Sequence, residues 1–185
     1  MTKKTIKNTV FALLSFCTIA TAFAFTWPQG WVPFESKEFR FKIAFPAAPE
    51  LTSQLANTAL GAMTLHIAQL DVSGDSSNSN LVYMVNYTQF PDSINSDRKD
   101  RLERFFNGSI NSMVKNVQGT LLSQKEIDYK GYPGREIQVN MQGQATITAK
   151  LILIKKKYFN IMVMTSPKKE YNADMAKFFD SFEGE

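Results

Sequence analysis

The chain has 185 residues, a formal net charge of +4 and one cysteine, Cys17. That length suits a single domain with a core large enough to stand without covalent staples. Cys17 lies in a segment expected to be removed, so disulfides, thiol catalysis and cysteine-ligated metals are excluded from the mature domain.

Lys3, Lys4 and Lys7 form a basic start, an apolar run follows from Val10 to Ala20, and Ala22-Phe23-Ala24 closes it with small residues. This order is that of a secretory signal peptide, with cleavage expected after Ala24. The run is shorter than the about 20 apolar residues a membrane span needs, and Ser15, Thr18 and Thr21 weaken it further. Leu14-Ser15-Phe16-Cys17 places a bulky phenylalanine where a lipobox requires a small residue. The sequence thus predicts a leader over 1–24, one domain over 25–185, a periplasmic or secreted location, and no transmembrane segment after cleavage. Losing three lysines and no acid leaves 18 basic against 17 acidic residues, a balance of +1. So small a surplus gives no argument for a nucleic-acid partner.

Residues 25–33 read as an aromatic arm that packs Trp27 or Trp31 on the domain. Phe39, Phe41, Ile43 and Phe45 alternate with Arg40, Lys42 and Ala44, which predicts a half-buried strand stopped by Pro46. Two strands over 50–56 and 62–72 follow, with Met63, Leu65 and Ile67 on the inward face. A polar loop over 73–80 leads to a strand over 81–90, ended by Pro91. The spacing of Leu102, Phe105, Phe106, Ile110, Met113, Val114 and Val117 predicts a helix over 97–117, capped by Ser96 or Asp97 and stopped by Gly119. Gly108 falls on its polar face, at a cost of about 1 kcal/mol relative to alanine.

Four strands are expected over 121–129, 135–141, 145–155 and 158–165. Lys130–Gly134, Gln142–Gln144 and Lys156-Lys157 serve as hairpin turns. Leu151–Ile154 and Phe159–Met164 are apolar on both faces, apart from Asn160, which places them mid-sheet. Ser166-Pro167 is expected to open a last helix whose buried stripe is Tyr171, Met175, Phe178, Phe179 and Phe182. The expected class is α+β: one antiparallel sheet of about seven strands with amphipathic helices packed on both faces.

Phe45-Pro46, Phe90-Pro91, the first helix, Tyr132-Pro133-Gly134-Arg135-Glu136 and Phe178-Phe179-Asp180-Ser181-Phe182 occur in that order after the leader. This order resembles secreted bacterial proteins of the PsbP-like fold, a group similar to DcrB-type domains, over most of 31–182. The resemblance implies an α/β/α sandwich and a non-enzymatic accessory or binding role, with Tyr132-Pro133-Gly134 as a turn and Phe178 and Phe182 as core. It carries no functional residue onto this chain.

Each candidate for chemistry has a plainer structural role. His66, the single histidine, shares a face with Thr64 and Ala68; a general base there would need a nucleophile and a carboxylate, and no Gly-x-Ser-x-Gly turn is present. Asp71, Ser73 and Asp75 suggest calcium, but Ser76 and Val82 occupy the positions where an EF-hand needs glycine and glutamate. Met141, Met162 and Met164 could attract copper(I) and read as core filler, with Met162 and Met164 on one face. Lys155-Lys156-Lys157 and Lys168-Lys169 lie about 25 Å apart at strand rise and could make weak membrane-surface contact. Arg98, Lys99, Arg101 and Arg104, mixed with Asp100 and Glu103, form a solvated helix face. Glu126, Asp128 and Glu136 could serve glycoside hydrolysis, but cross-strand pairing with Lys125 or Arg135 is favoured. Asn86 and Asn107 begin glycosylation sequons, relevant only in a eukaryotic host.

No catalytic, cofactor-binding or metal residue is assigned, and no cofactor is expected. The sequence points to an exported, non-enzymatic accessory or binding protein of the bacterial cell envelope, its partner an unidentified protein or small ligand. A secreted effector or surface-associated factor is the alternative, and a hydrolase built on His66 or the acidic residues the third reading. A deep pocket at the sheet would favour a small ligand; a flat apolar patch would favour a protein partner.

Overall fold

The computed structural model describes residues 30–58, 61–76, 78–91, 99–167 and 171–185. The leader, Trp27, the expected caps Ser96 and Asp97, Arg98 and Lys168-Lys169 lie outside the described residues. In chain order the elements are β1 (Val32–Ser36), β2 (Phe41–Phe45), β3 (Glu50–Thr58), β4 (Gly61–Asp71), β5 (Asn80–Gln89), α1 (Lys99–Asn116), β6 (Thr120–Tyr129), β7 (Tyr132–Met141), β8 (Ala145–Ile154), β9 (Lys157–Thr165), α2 (Ala173–Asp180) and β10 (Glu183–Gly184).

Seven strands form one sheet in the order β3-β4-β5-β9-β8-β7-β6, antiparallel throughout. The two runs apolar on both faces are its inner strands β8 and β9, as their composition requires. The alternating Phe39–Phe45 segment does not join this sheet. Its strand β2 pairs instead with β1 and β10 in a small three-stranded sheet, and β1 occupies part of the expected aromatic arm. Trp31 does pack on the domain, edge-on to Tyr83 with ring centroids 5.9 Å apart.

Strand alternation splits the core in two. On one face Tyr83, Val85, Tyr87, Phe159, Ile161 and Val163 meet the small sheet and α2. Aromatic rings join these layers edge-to-face: Phe41 to Tyr87 at 4.8 Å, Phe41 to Phe159 at 5.1 Å and Phe45 to Phe178 at 5.1 Å. Such pairs add roughly 0.5–1.5 kcal/mol each beyond area burial. On the other face Ile137, Val139, Ile147, Ala149, Leu151 and Leu153 receive Phe106 and Ile110 of α1. The helices therefore cover opposite faces of the large sheet.

Four local expectations need correction. Gly119 is not the left-handed stop of α1: Gln118 takes that conformation (φ 50°), its N–H donating to the Lys115 carbonyl and that of Gly119 to Val114. These two bonds satisfy the orphan carbonyls of the last turn. Glycine is needed at 119 for close approach instead, since a Cβ there would lie 2.7 Å from the Asn140 carbonyl oxygen. Tyr132-Pro133-Gly134 lies within β7, not in a turn; Lys130 (φ 52°) and Gly131 (φ 83°) make the hairpin. Ser166-Pro167 does not open α2. The Ser166 N–H donates to the Ser79 carbonyl, holding the chain against the β5 entry, and Asn172 caps a helix that begins at Ala173. Tyr171 consequently precedes the helix and is 49% exposed, stacked beside Phe179 rather than buried.

Polar side chains dock α2. Asn80 and Asn172 exchange amide hydrogen bonds of 3.1 and 2.8 Å, and the Asn172 oxygen also accepts from the Met175 N–H. Ser181 accepts from the Ala44 N–H and donates to the Phe178 carbonyl. The conspicuous Phe-Phe-Asp-Ser-Phe run thus joins the small sheet to the helix end.

Candidate functional site

α1 lies against β7 and the inner strands, and its other flank opens onto β4 and β5. Between them runs a cleft of about 410 Å³, within the range of small-molecule sites. Its sheet side is formed by Met63 and Leu65 of β4, Asn86 and Thr88 of β5, and Asn160 and Met162 of β9. Ser109, Ser112, Met113 and Asn116 line the helix side, with Phe90 and Tyr158 toward the start of α1. Among the described residues, none that lines the cleft is charged.

Asn86 and Asn160 stand directly opposite each other in the β5–β9 register. The Oδ1 atoms of both are buried without a hydrogen-bond partner. Asn160 is only 8% exposed. An unpaired buried acceptor costs about 1–3 kcal/mol, so one cross-strand pair carries this cost twice. The neighbouring polar groups are satisfied: Thr88 donates to the Thr64 carbonyl at 2.7 Å, and the Tyr158 hydroxyl bonds with Ser109. Burial pushes the Tyr158 pKa well above the ordinary phenol value, so this ring presents a neutral wall.

A smaller cleft of about 310 Å³ at the β2–β10 edge is lined by Glu35, Lys37, Arg40, Lys42, Lys130 and Glu185 among others. Arg40 pairs with Glu185 and Lys42 with Glu183, so ions of both signs are already matched there.

The sequence candidates scatter. His66 lies on the opposite face from the apolar cleft, stacked on Tyr87 with centroids 5.1 Å apart and edge-on to Phe39. Its Nδ1 is 3.1 Å from Ser53 Oγ, but no ion pair or hydrogen bond to a carboxylate is found for it among the described residues. Asp71 Oδ1 accepts from the Ser73 N–H at 2.8 Å; hydrogen bonds from the Ser73 hydroxyl, and next its N–H, lower the Asp71 pKa, and Asp75 accepts from Asn78. These bonds organise a turn; no metal-binding cluster of histidine, cysteine or carboxylate occurs among the described residues.

The acidic trio pairs as cross-strand neighbours or caps a turn. Lys125 is 2.9 Å from Glu136, Arg135 is 3.5 Å from Glu126, and Asp128 accepts from the Gly131 N–H. Glu103 departs from the expected solvated face: it reaches Arg135 at 2.6 Å. Arg135, 4% exposed, also lies over the Phe106 ring. Lys157 is likewise not a free turn lysine, since it donates to the carbonyls of Phe39 and Glu185. Met162 lines the cleft, whereas Met164 packs into the α1 core.

Sequence reasoning missed the asparagine pair. Asn86 appears in the sequence as a sequon and Asn160 as the polar exception in a core strand. Only the register brings them together.

The fold aligns with the solution structure of cyanobacterial PsbP (CyanoP) from Synechocystis sp. PCC 6803, covering 84% of this chain and 92% of that one with a TM-score of 0.54. The fold is PsbP-like. Sequence identity over that match is 9%, so the likeness carries architecture alone. No family model matches the chain, and no curated protein matches it in sequence. Within the PsbP-like frame, the cleft beside α1 is assembled from this chain's own side chains.

Proposed function

We propose that the chain is an exported binding protein whose cleft between α1 and strands β4, β5 and β9 holds a small, mainly apolar ligand. The observation that carries this reading is the cleft of about 410 Å³, whose lining among the described residues is mainly apolar and carries no charge. A cleft of this size with a mainly apolar lining and a few polar side chains is of the kind that holds small molecules. The basic, apolar and small-residue leader supports export.

The test is a titration with N-phenyl-1-naphthylamine, a neutral polarity-sensitive dye. Saturable binding near one dye per chain is expected. Ser112→Trp, at the exposed helix side of the cleft, should weaken it at least tenfold, or about 1.4 kcal/mol. Absence of saturable binding, or binding indifferent to this substitution, would remove the proposal.

A further inference from the structure

We infer that two copies of the chain associate edge to edge through β3, antiparallel about a two-fold axis at Ser53, with Leu51 of each copy opposite the partner's Leu55. The large sheet ends at β3 on one side and at β6 on the other. A free sheet edge offers unpaired backbone donors and acceptors to any extended chain, and stable proteins blunt it with charge, proline or a bulge. β6 is blunted in two of these ways. Lys125, Glu126 and Asp128 lie along it, and its register with β7 shifts between Leu121 and Ser123, which sets Leu122 at the irregularity. β3 has neither device. It runs nine residues in regular register with β4, and its single charge is Glu50 at the start.

The same strand carries the two most exposed large apolar side chains among the described residues, Leu55 at 71% and Leu51 at 61%. They alternate with Ser53, whose register partner is His66, so all three lie on one sheet face. The side chains from Glu50 to Leu55 are exposed on both faces, which leaves room for a neighbouring strand.

The sequence of β3 names the neighbour. A two-fold axis at Ser53 sets Leu51 opposite the partner's Leu55, Thr52 opposite Gln54 and Glu50 opposite Ala56. This is the one register in which both leucines of each copy face a leucine, and it opposes no like charges. Axes at Thr52 or Gln54 would set the leucines against serine, proline or asparagine. A two-fold contact also closes on itself. It uses up both bare edges and leaves the charged, bulged β6 at either end of the joined sheet. Five paired residues span about 17 Å, too little to bury the about 2,000 Å² of an obligate dimer, so the association is reversible and follows concentration.

The experiment is sedimentation of the exported chain without its leader, which holds no cysteine. A monomer–dimer equilibrium with no larger species is expected. Ser53→Lys sets two ammonium groups opposite each other at the axis and should weaken the dimer about tenfold. Leu122→Lys, on β6, should leave the equilibrium unchanged. Leu51→Glu and Leu55→Lys should each weaken the dimer, and the two together should restore much of it, because the inferred register pairs the new charges. Oxidised Ser53→Cys should yield a covalent dimer, since residues opposed across antiparallel strands lie within disulfide reach, and Ser123→Cys on β6 should not. Circular dichroism confirms that each variant is folded. A chain that stays monomeric at every concentration would overturn the inference, and so would a dimer indifferent to Ser53→Lys, a dimer lost on Leu122→Lys, or open-ended polymers. Failure of the paired charges to restore association would overturn the register. A monomer that instead takes up an extended peptide along β3 would overturn self-association and assign the edge to a different partner.

Discussion

Asn160→Leu should stabilise the ligand-free protein. Asn160 lies on β9, the central strand of seven, directly opposite Asn86. Its Oδ1 has exchanged water for an environment with no donor. Leucine branches at the same carbon, so it fills the same space and removes the unsatisfied acceptor. The expected gain is about 1–3 kcal/mol, the cost of such an atom. For a chain of this length each kcal/mol moves the melting temperature by about 2–4 °C. Urea unfolding of ligand-free wild type and variant, followed by circular dichroism, should show a higher midpoint at unchanged slope, because the surface exposed on unfolding hardly changes. Asn86→Leu and the double variant complete a cycle; a coupling of about 0.5 kcal/mol or more is expected for residues in direct cross-strand contact. A variant destabilised by more than 1 kcal/mol would refute the reasoning, because the amide would then be holding the sheet together.

Three further outcomes follow from the same structure. Arg135→Met should cost about 2–3 kcal/mol by urea unfolding, less than the about 3–5 kcal/mol for breaking a fully buried pair, because Glu103 retains partial solvent access. Gly119→Ala and Gly134→Ala should each destabilise by about 1–3 kcal/mol, since each added Cβ would meet a backbone carbonyl at 2.7 Å, from Asn140 and Leu151 respectively; thermal melts measure both. Burial raises the pKa of Tyr83, Tyr87 and Tyr158. A raised phenol pKa contributes stability that is intact below the unfolded value of about 10 and is lost as pH climbs toward the folded value. Alkaline titration by phenolate absorbance should therefore show these tyrosines ionising together with unfolding, and Tyr158→Phe should flatten the stability loss above about pH 10.

Much of the architecture can be read from the chain because it rests on local periodicity. The two-residue alternation of Ile137 and Val139 and the helical spacing of Phe106 and Ile110 place the same residues in one core. The apolar runs of β8 and β9 announce their central position. What cannot be read is what depends on register and on competition between nearby signals. Ser166-Pro167 is a sound helix start in isolation, yet Asn172 wins because its amide also matches Asn80, 92 residues away. β2 has an ordinary strand pattern that does not say which sheet it joins. The candidate site is harder still, since neither Asn86 nor Asn160 is notable alone and their unpaired oxygens exist only once β5 and β9 are aligned.

The position of the cleft follows from a mismatch of widths. Six spacings of about 4.8 Å make the large sheet about 29 Å across, while one helix with its side chains covers about 10–12 Å. On the aromatic face, α2 and the three-stranded sheet share the task. On the other face α1 is the one described helix, and its contacts run to β7, β8 and β9. The β4 stripe of Met63 and Leu65, inward by its alternation, therefore faces a cleft rather than a packed layer. Such an opening alone would only expose apolar surface. The asparagine pair stands where the cover of α1 ends, adding a polar cost on a central strand that hydrophobic packing does not require. Incomplete coverage makes room for a ligand beside that pair. Leucine at these positions should therefore raise stability and leave the cleft in place, whereas a pair that holds the sheet together would surrender stability.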